Sequence, residues 1–143
     1  MHSNFSWNIR VYYEDTDAGG IVFYANYLKF FERARTEWLR AAGVSQQILS
    51  ETHGVMFVVK STAVDYHSPA KLDDELNVTV VVRRLGRASV QFVQEAWRID
   101  KTGSTEPVLL ASGEIKVGCV GVTSLRPSAI PDEVTRKIAT DQE

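Results

Sequence analysis

Three carboxylates, Glu14, Asp15 and Asp17, stand beside two glycines, Gly19 and Gly20, directly ahead of an aromatic-rich helical pattern. A carboxylate can act as nucleophile or general base, and the start of a helix supplies the complementary group. The first backbone N–H groups of a helix lack intrahelical acceptors and carry partial positive charge. They keep a nearby carboxylate ionised and can hold a developing oxyanion. Asp17 follows a strand pattern and precedes the helix, so it is the carboxylate placed for that role. Gly19 and Gly20 would let a ligand approach the backbone. One carboxylate and one helix N-terminus make a minimal site for acyl-transfer hydrolysis.

A thioester needs little more than this. Its thiolate leaves readily, a free thiol having a pKa of about 8.5, so a strong general acid is dispensable. The chain has no G-x-S-x-G elbow, and Cys119 lies in a strand-like segment far from any evident base. On residue types alone, Asp and Gly between a strand and a helix also describe a turn and a cap, and that alternative stays open. Glu14 and Asp15 read as solvated loop charges, and Asp73 and Asp74, near Pro69, as turn residues. His53 and His67 lack metal-ligand spacing and read as structural or surface residues, although His67, beside a strand end, could line a pocket. Arg83, Arg84 and Arg87 cluster around a turn. They read either as a solvated surface or as a grip on the phosphates of a nucleotide tail, for which guanidinium groups are suited.

The elements that must position these residues follow from periodicity. Trp7, Ile9, Val11 and Tyr13 alternate with polar neighbours, which predicts a half-buried strand. Residues 15–20 form a turn. Residues 25–42 predict a helix, with Tyr27, Leu28, Phe31, Ala34, Trp38 and Ala41 inward, Asn26 as N-cap and Gly43 as stop; Glu32 or Arg35 is expected to be partly buried. A short helix, 45–51, is capped by Ser45. Val55 to Tyr66 predicts a mostly buried strand, HSPAKLDD (67–74) a turn, and Leu76, Val78, Val80 and Val82 a single further strand. LGRAS (85–89) is a tight connection. Residues 88–99 predict a strand whose alternation slips near Val93, suggesting a bulge or two-sided burial. KTGSTEP (101–107) turns the chain into a last strand with Leu109, Ala111, Gly113, Ile115 and Val117 inward. From Pro127 a surface tail is expected, with a weak helix at 132–139.

The 143 residues suffice for one domain with one core, 1–143, with residues 127–143 as its tail. Short connections favour antiparallel strands. Six ring-bearing residues between 23 and 38 require a large surface for burial, which a curved antiparallel β-sheet wrapped around the long helix provides, an α+β arrangement. A net charge of −2 gives no broad electrostatic case for nucleic acid or an anionic membrane. A single cysteine excludes an internal disulfide and a cysteine-based metal cluster, and Cys119 reads as a small buried apolar residue. The polar start MHSNFSWNIR shows no signal-peptide pattern, which makes a cytoplasmic protein the expectation.

The stretch YYEDTDAGGIVFYANYLKFFERART (12–36) resembles the motif of the 4-hydroxybenzoyl-CoA thioesterase family, and most of all its YbgC-type, Tol-Pal-associated branch. The resemblance extends through FVV (57–59) and SPAKLDDEL (68–76) over nearly the whole chain. It implies a hotdog fold, in which one long central helix is enclosed by an antiparallel sheet. It also implies dimers paired sheet edge to sheet edge, often assembled into tetramers, with sites at the dimer interface that accept acyl-CoA or acyl-carrier-protein thioesters. Metal and cofactor are not implied, coenzyme A being part of the substrate. Asp17 falls on the catalytic aspartate of the family, Tyr24 where the helix N-terminus offers its backbone N–H to the thioester carbonyl, and Tyr13 on a tyrosine near the site. FYANY departs from the YbgC-type pattern, which has histidine at the position of Tyr24. The backbone N–H survives that change, while any imidazole role and the acyl preference are put in question. A non-catalytic acyl-CoA or acyl-carrier-protein binder and a hotdog hydratase are the rival readings.

Overall fold

The aromatic spacing at 27–38 produces the helix it predicts. In the computed structural model, which describes residues 5–141, α1 spans Asn26–Ala41. Tyr27, Phe30, Phe31, Ala34, Trp38 and Leu39 form its buried stripe. Leu28 and Ala41, expected on that stripe, are exposed on its flanks, and Phe30 and Leu39 take inward positions instead. Asn26 is not the N-cap. Ala25 occupies that position without a side-chain hydrogen bond, and Asn26 Nδ2 donates to the Asp15 carbonyl at 2.8 Å. Gly43 ends the helix with φ of +90°, where a side chain would be strained. Ser45 caps α2 (Gln46–His53), its Oγ accepting from the Ile48 N–H at 3.1 Å.

Six strands follow the expected order, with one split in two: β1 (Ser6–Arg10), β2 (Val55–Tyr66), β3 (Glu75–Thr79), β4 (Val81–Leu85), β5 (Ser89–Ile99) and β6 (Val108–Gly121). All named pairs are antiparallel, in the spatial order β1-β3-β5-β6-β2, with β4 also on β5. The single strand expected through Leu76 and Val82 breaks at Val80. There β3 lies on the far half of β5 (Val78 opposite Ala96) and β4 on its near half (Val81 opposite Val93). Leu76, Val78, Val80 and Val82 remain inward throughout.

The apparent slip at Val93 has a chemical cause rather than a geometric one. Val90, Phe92, Gln94 and Ala96 alternate inward without interruption, and Gln94 is a fully buried amide in an apolar row. The register shifts fall between Val59 and Ser61, between Val82 and Arg84, and beside Leu110. The last of these turns Leu110 inward and fully buried, whereas Leu109, expected inward, is only partly buried.

Two burial expectations are overturned. β2 is not mostly buried: only Val55 is, and residues 59–63 are exposed. The strand lies at the sheet edge, where α2 packs on it, whereas α1 packs mainly on β1, β3 and β5. The C-terminal segment is not a surface tail. α3 (Asp132–Asp141) and its approach place Ile130, Val134 and Ile138 in the same core as α1 and the sheet. Their spacing of four residues gives one apolar helical face.

Candidate active site

Asp15 and Asp17 diverge completely, although only one residue separates them. Asp15, expected to be solvated, is buried. Its Oδ2 accepts from the Tyr12 N–H at 2.9 Å, and its carbonyl accepts from the Phe23 N–H at 3.1 Å and from Asn26 Nδ2. The carboxylate thus holds the 3-10 turn (Tyr13–Asp15), and the Asp15 carbonyl ties that turn to the first residue of α1. Asp17 opens a small hairpin. Thr16 bridges Val22, the Asp17 N–H donates to Ile21 O at 2.9 Å, and the Gly20 N–H donates to Asp17 O at 3.0 Å. Gly20 has φ of +81°, which a residue with a side chain would reach only with strain.

Asp17 Oδ1 accepts from the Gly19 N–H at 2.8 Å, and Oδ2 has no partner among the described residues. A Cβ on Gly19 would stand 3.3 Å from Oδ1. One carboxylate oxygen is therefore anchored and the other is available. Tyr24 comes two residues after Val22, a reach of at most about 7 Å from the strand that pairs with the Asp17 turn. Its N–H donates to no backbone acceptor among the described residues, while its carbonyl accepts from the Tyr27 N–H. The carboxylate and the free N–H are thus brought to the same end of α1.

Residues 67–71 clamp this assembly. Ile21 bridges Lys71, the Val22 N–H donates to Ala70 O at 2.9 Å, and the Ala70 N–H donates to the buried Tyr27 hydroxyl at 3.2 Å. Burial pushes the Tyr27 phenol above its ordinary pKa, against the smaller effect of the Ala70 hydrogen bond. Tyr66 is a member of the site that sequence reasoning missed. Its ring centroid lies 6.0 Å from that of Tyr24 and 5.6 Å from that of Tyr27. The only hint in the sequence is its place at the end of a strand.

Tyr13, on the turn before Asp17, is 83% exposed, and Tyr12, Phe23, Tyr24 and Asp17 are exposed with it. His67 Nε2 pairs with Ser112 Oγ at 3.0 Å. The arginine cluster lies elsewhere. Arg84 faces Gln91 on β5, whereas the clamp around Pro69 contacts Arg98, seven residues or roughly 20 Å further along that strand. Arg83 is ion-paired with Glu114 at 2.9 Å. Cys119 is buried, and burial raises its thiol pKa. Among the described residues there is no His, Cys, Asp and Glu grouping able to hold a metal, and no helix long and apolar enough to cross a membrane.

A single antiparallel sheet laid over a helix, with a carboxylate-bearing hairpin feeding that helix, is the hotdog architecture of thioesterases. Comparison with known proteins agrees. The family model described as thioesterase-like superfamily matches residues 11–138. The chain is 45% identical over 134 residues to the acyl-CoA thioesterase YbgC of Haemophilus influenzae, covering 94% of this chain and 93% of that one. It is 42% identical over 130 residues to the acyl-CoA thioester hydrolase YbgC of Escherichia coli, covering 91% and 92%. The crystal structure of a probable thioesterase from Bartonella henselae superposes with a TM-score of 0.81 at 28% identity, covering 90% of this chain and all of that one. The chain belongs to the thioesterase-like superfamily, on its YbgC-type branch, and is an enzyme of the thioesterase class.

Proposed function

We propose that the protein hydrolyses acyl-CoA thioesters in the cytoplasm, with Asp17 as the reacting carboxylate and the Tyr24 N–H as the oxyanion donor. The observation that carries this reading is the half-anchored Asp17 side chain: Gly19 fixes Oδ1 while Oδ2 stays free at the end of α1. The carbonyl oxygen would rest on the Tyr24 N–H, where helix polarity favours the negative charge it gains. In one route Asp17 Oδ2 adds to the carbonyl carbon, the C–S bond breaks, and the thiolate leaves and takes a proton from solvent. Water then cleaves the mixed anhydride and regenerates Asp17. In the other, Asp17 removes a proton from a water that adds directly. Neither route requires a further cofactor, coenzyme A being part of the substrate.

A second copy would close the site. The edge position of β2, with residues 59–63 exposed, and the exposed Tyr13, Phe23 and Tyr24 support a homodimer joined along β2, and pairs of dimers follow the family pattern. Tyr13 would line the entrance. Arg84 and Arg87, which make no ion pair among the described residues, would serve the CoA phosphates from the second copy, with Arg83 held back by Glu114. Acyl-carrier-protein thioesters are the alternative substrate on the same chemistry. The test is release of free thiol, followed with a thiol-reactive dye, from acyl-CoA and acyl-carrier-protein thioesters. Turnover of acyl-CoA supports the reading, and tight binding without thiol release would replace it with a non-catalytic acyl-CoA binder.

A further inference from the structure

The chemistry above leaves one internal feature without a task. Between the second half of α1 and the β5, β6 and β2 side of the sheet is a recess of about 190 Å³. Trp38, Leu39, Phe57, Val59, Val90 and Phe92 form its apolar wall, and Glu32, Thr36 and Gln46 add polar lining. A cavity of about 150 Å³ holds a benzene molecule, so this one holds an acyl group of about six carbons.

One cation belongs to the lining. Arg35, expected to be partly buried, reaches the recess from α1, with its guanidinium carbon 5.9 Å from the Phe92 ring centroid. Its Nη1 donates to Gln94 Oε1 at 2.8 Å. Gln94 is fully buried, and its Nε2 is committed to Phe31 O at 3.1 Å and Thr79 O at 3.2 Å. The amide therefore cannot turn, and it fixes the guanidinium from behind. Arg35 has no carboxylate within ion-pair distance among the described residues. Glu32, on the rim one turn earlier, is exposed and accepts from Thr36 Oγ1 at 3.0 Å. Burial lowers the Arg35 pKa to about 10, partly offset by Glu32, so the group is still a cation at neutral pH. A partly buried, oriented cation with spare donors and no carboxylate in ion-pair contact is favourably placed to take an anion.

We propose that this recess is an acyl-group subsite selecting chains that end in a carboxylate, the monothioesters of short dicarboxylic acids, whose free carboxylate pairs with Arg35. The inference rests on the thioesterase reading above. Phe57 and Val59 belong to β2, the edge along which the second copy would pair. Antiparallel self-pairing brings the Tyr66 end of one β2 beside the Val55 end of the other. Tyr66 neighbours Tyr24, so an acyl group held at one copy's Asp17 enters the other copy's recess.

The test compares kcat/KM for adipyl-CoA and hexanoyl-CoA, which have equal carbon number and differ in the terminal carboxylate. The wild type favours adipyl-CoA by at least about tenfold, because a site built around a polar partner rejects the analogue lacking it. Arg35→Met reverses the preference, and Arg35→Lys retains part of it. Equal or better use of hexanoyl-CoA by the wild type, or an unchanged ratio in Arg35→Met, overturns the subsite while leaving the hydrolase reading intact. Absence of thiol release from either thioester overturns both. Should Arg35→Met fail to fold, as judged by circular dichroism, the wild-type ratio and Arg35→Lys decide the matter.

Discussion

The two glycines of the Asp17 hairpin separate folding from chemistry, and substituting each by alanine tests the separation. At Gly20 an added Cβ meets nothing within 4 Å, but φ is +81°. The cost of Gly20→Ala is therefore conformational, about 1 kcal/mol of stability, as for any residue forced into the left-handed region. At Gly19 no such φ applies, and the added Cβ would press on Asp17 Oδ1 from 3.3 Å. The carboxylate must give by a few tenths of an ångström. A displacement of 1 Å costs a reaction about a hundredfold, so a shift of 0.3–0.5 Å costs roughly four- to tenfold. Urea denaturation gives the stability of each variant, and thiol release gives kcat. Gly19→Ala loses about four- to tenfold in kcat with stability within about 0.5 kcal/mol of wild type. Gly20→Ala shows the reverse pattern. Wild-type kcat in Gly19→Ala, or a larger stability loss there than in Gly20→Ala, refutes the role given to Asp17 Oδ1 anchoring.

The remaining predictions concern packing and assembly. Ile138→Ala removes a fully buried side chain from the α3 face and costs about 2–4 kcal/mol in urea denaturation, whereas a surface tail would lose less than about 0.5. The protein sediments as a dimer or a multiple of dimers. Val59→Glu, a charge on the half-exposed apolar middle of β2, shifts it toward monomer; sedimentation of the wild type as a monomer removes the two-copy site.

Features that depend on local spacing were legible. Tyr27, Phe31, Ala34 and Trp38 predicted α1, Ser45 predicted the cap of α2, and Gly43 predicted a stop, because the 3.6-residue period and cap chemistry act over a few residues. Features set by distant parts of the chain were not. β2 has a core-like composition but lies at a sheet edge, so Val59 and Tyr66 are half exposed. Gln94 resembled a break in a strand because its partners, Arg35, Phe31 and Thr79, belong to other elements. Leu110 turned inward through a register shift that no composition announces. The signal for α3 was present in Ile130, Val134 and Ile138, but turn residues such as Pro127 masked it. At the site, the sequence singled out Asp17 and read Asp15 as a solvated charge, whereas Asp15 is buried on the Tyr12 N–H, a pairing that only the folded turn creates.

Acyl-CoA turnover by Asp17→Asn tests most directly whether Asp17 is the reacting carboxylate. An asparagine oxygen can still accept from the Gly19 N–H, so the hairpin and the urea midpoint are preserved. In this folded variant kcat is expected to fall by about a hundredfold or more. A folded Asp17→Asn protein turning over within about threefold of wild type would contradict it.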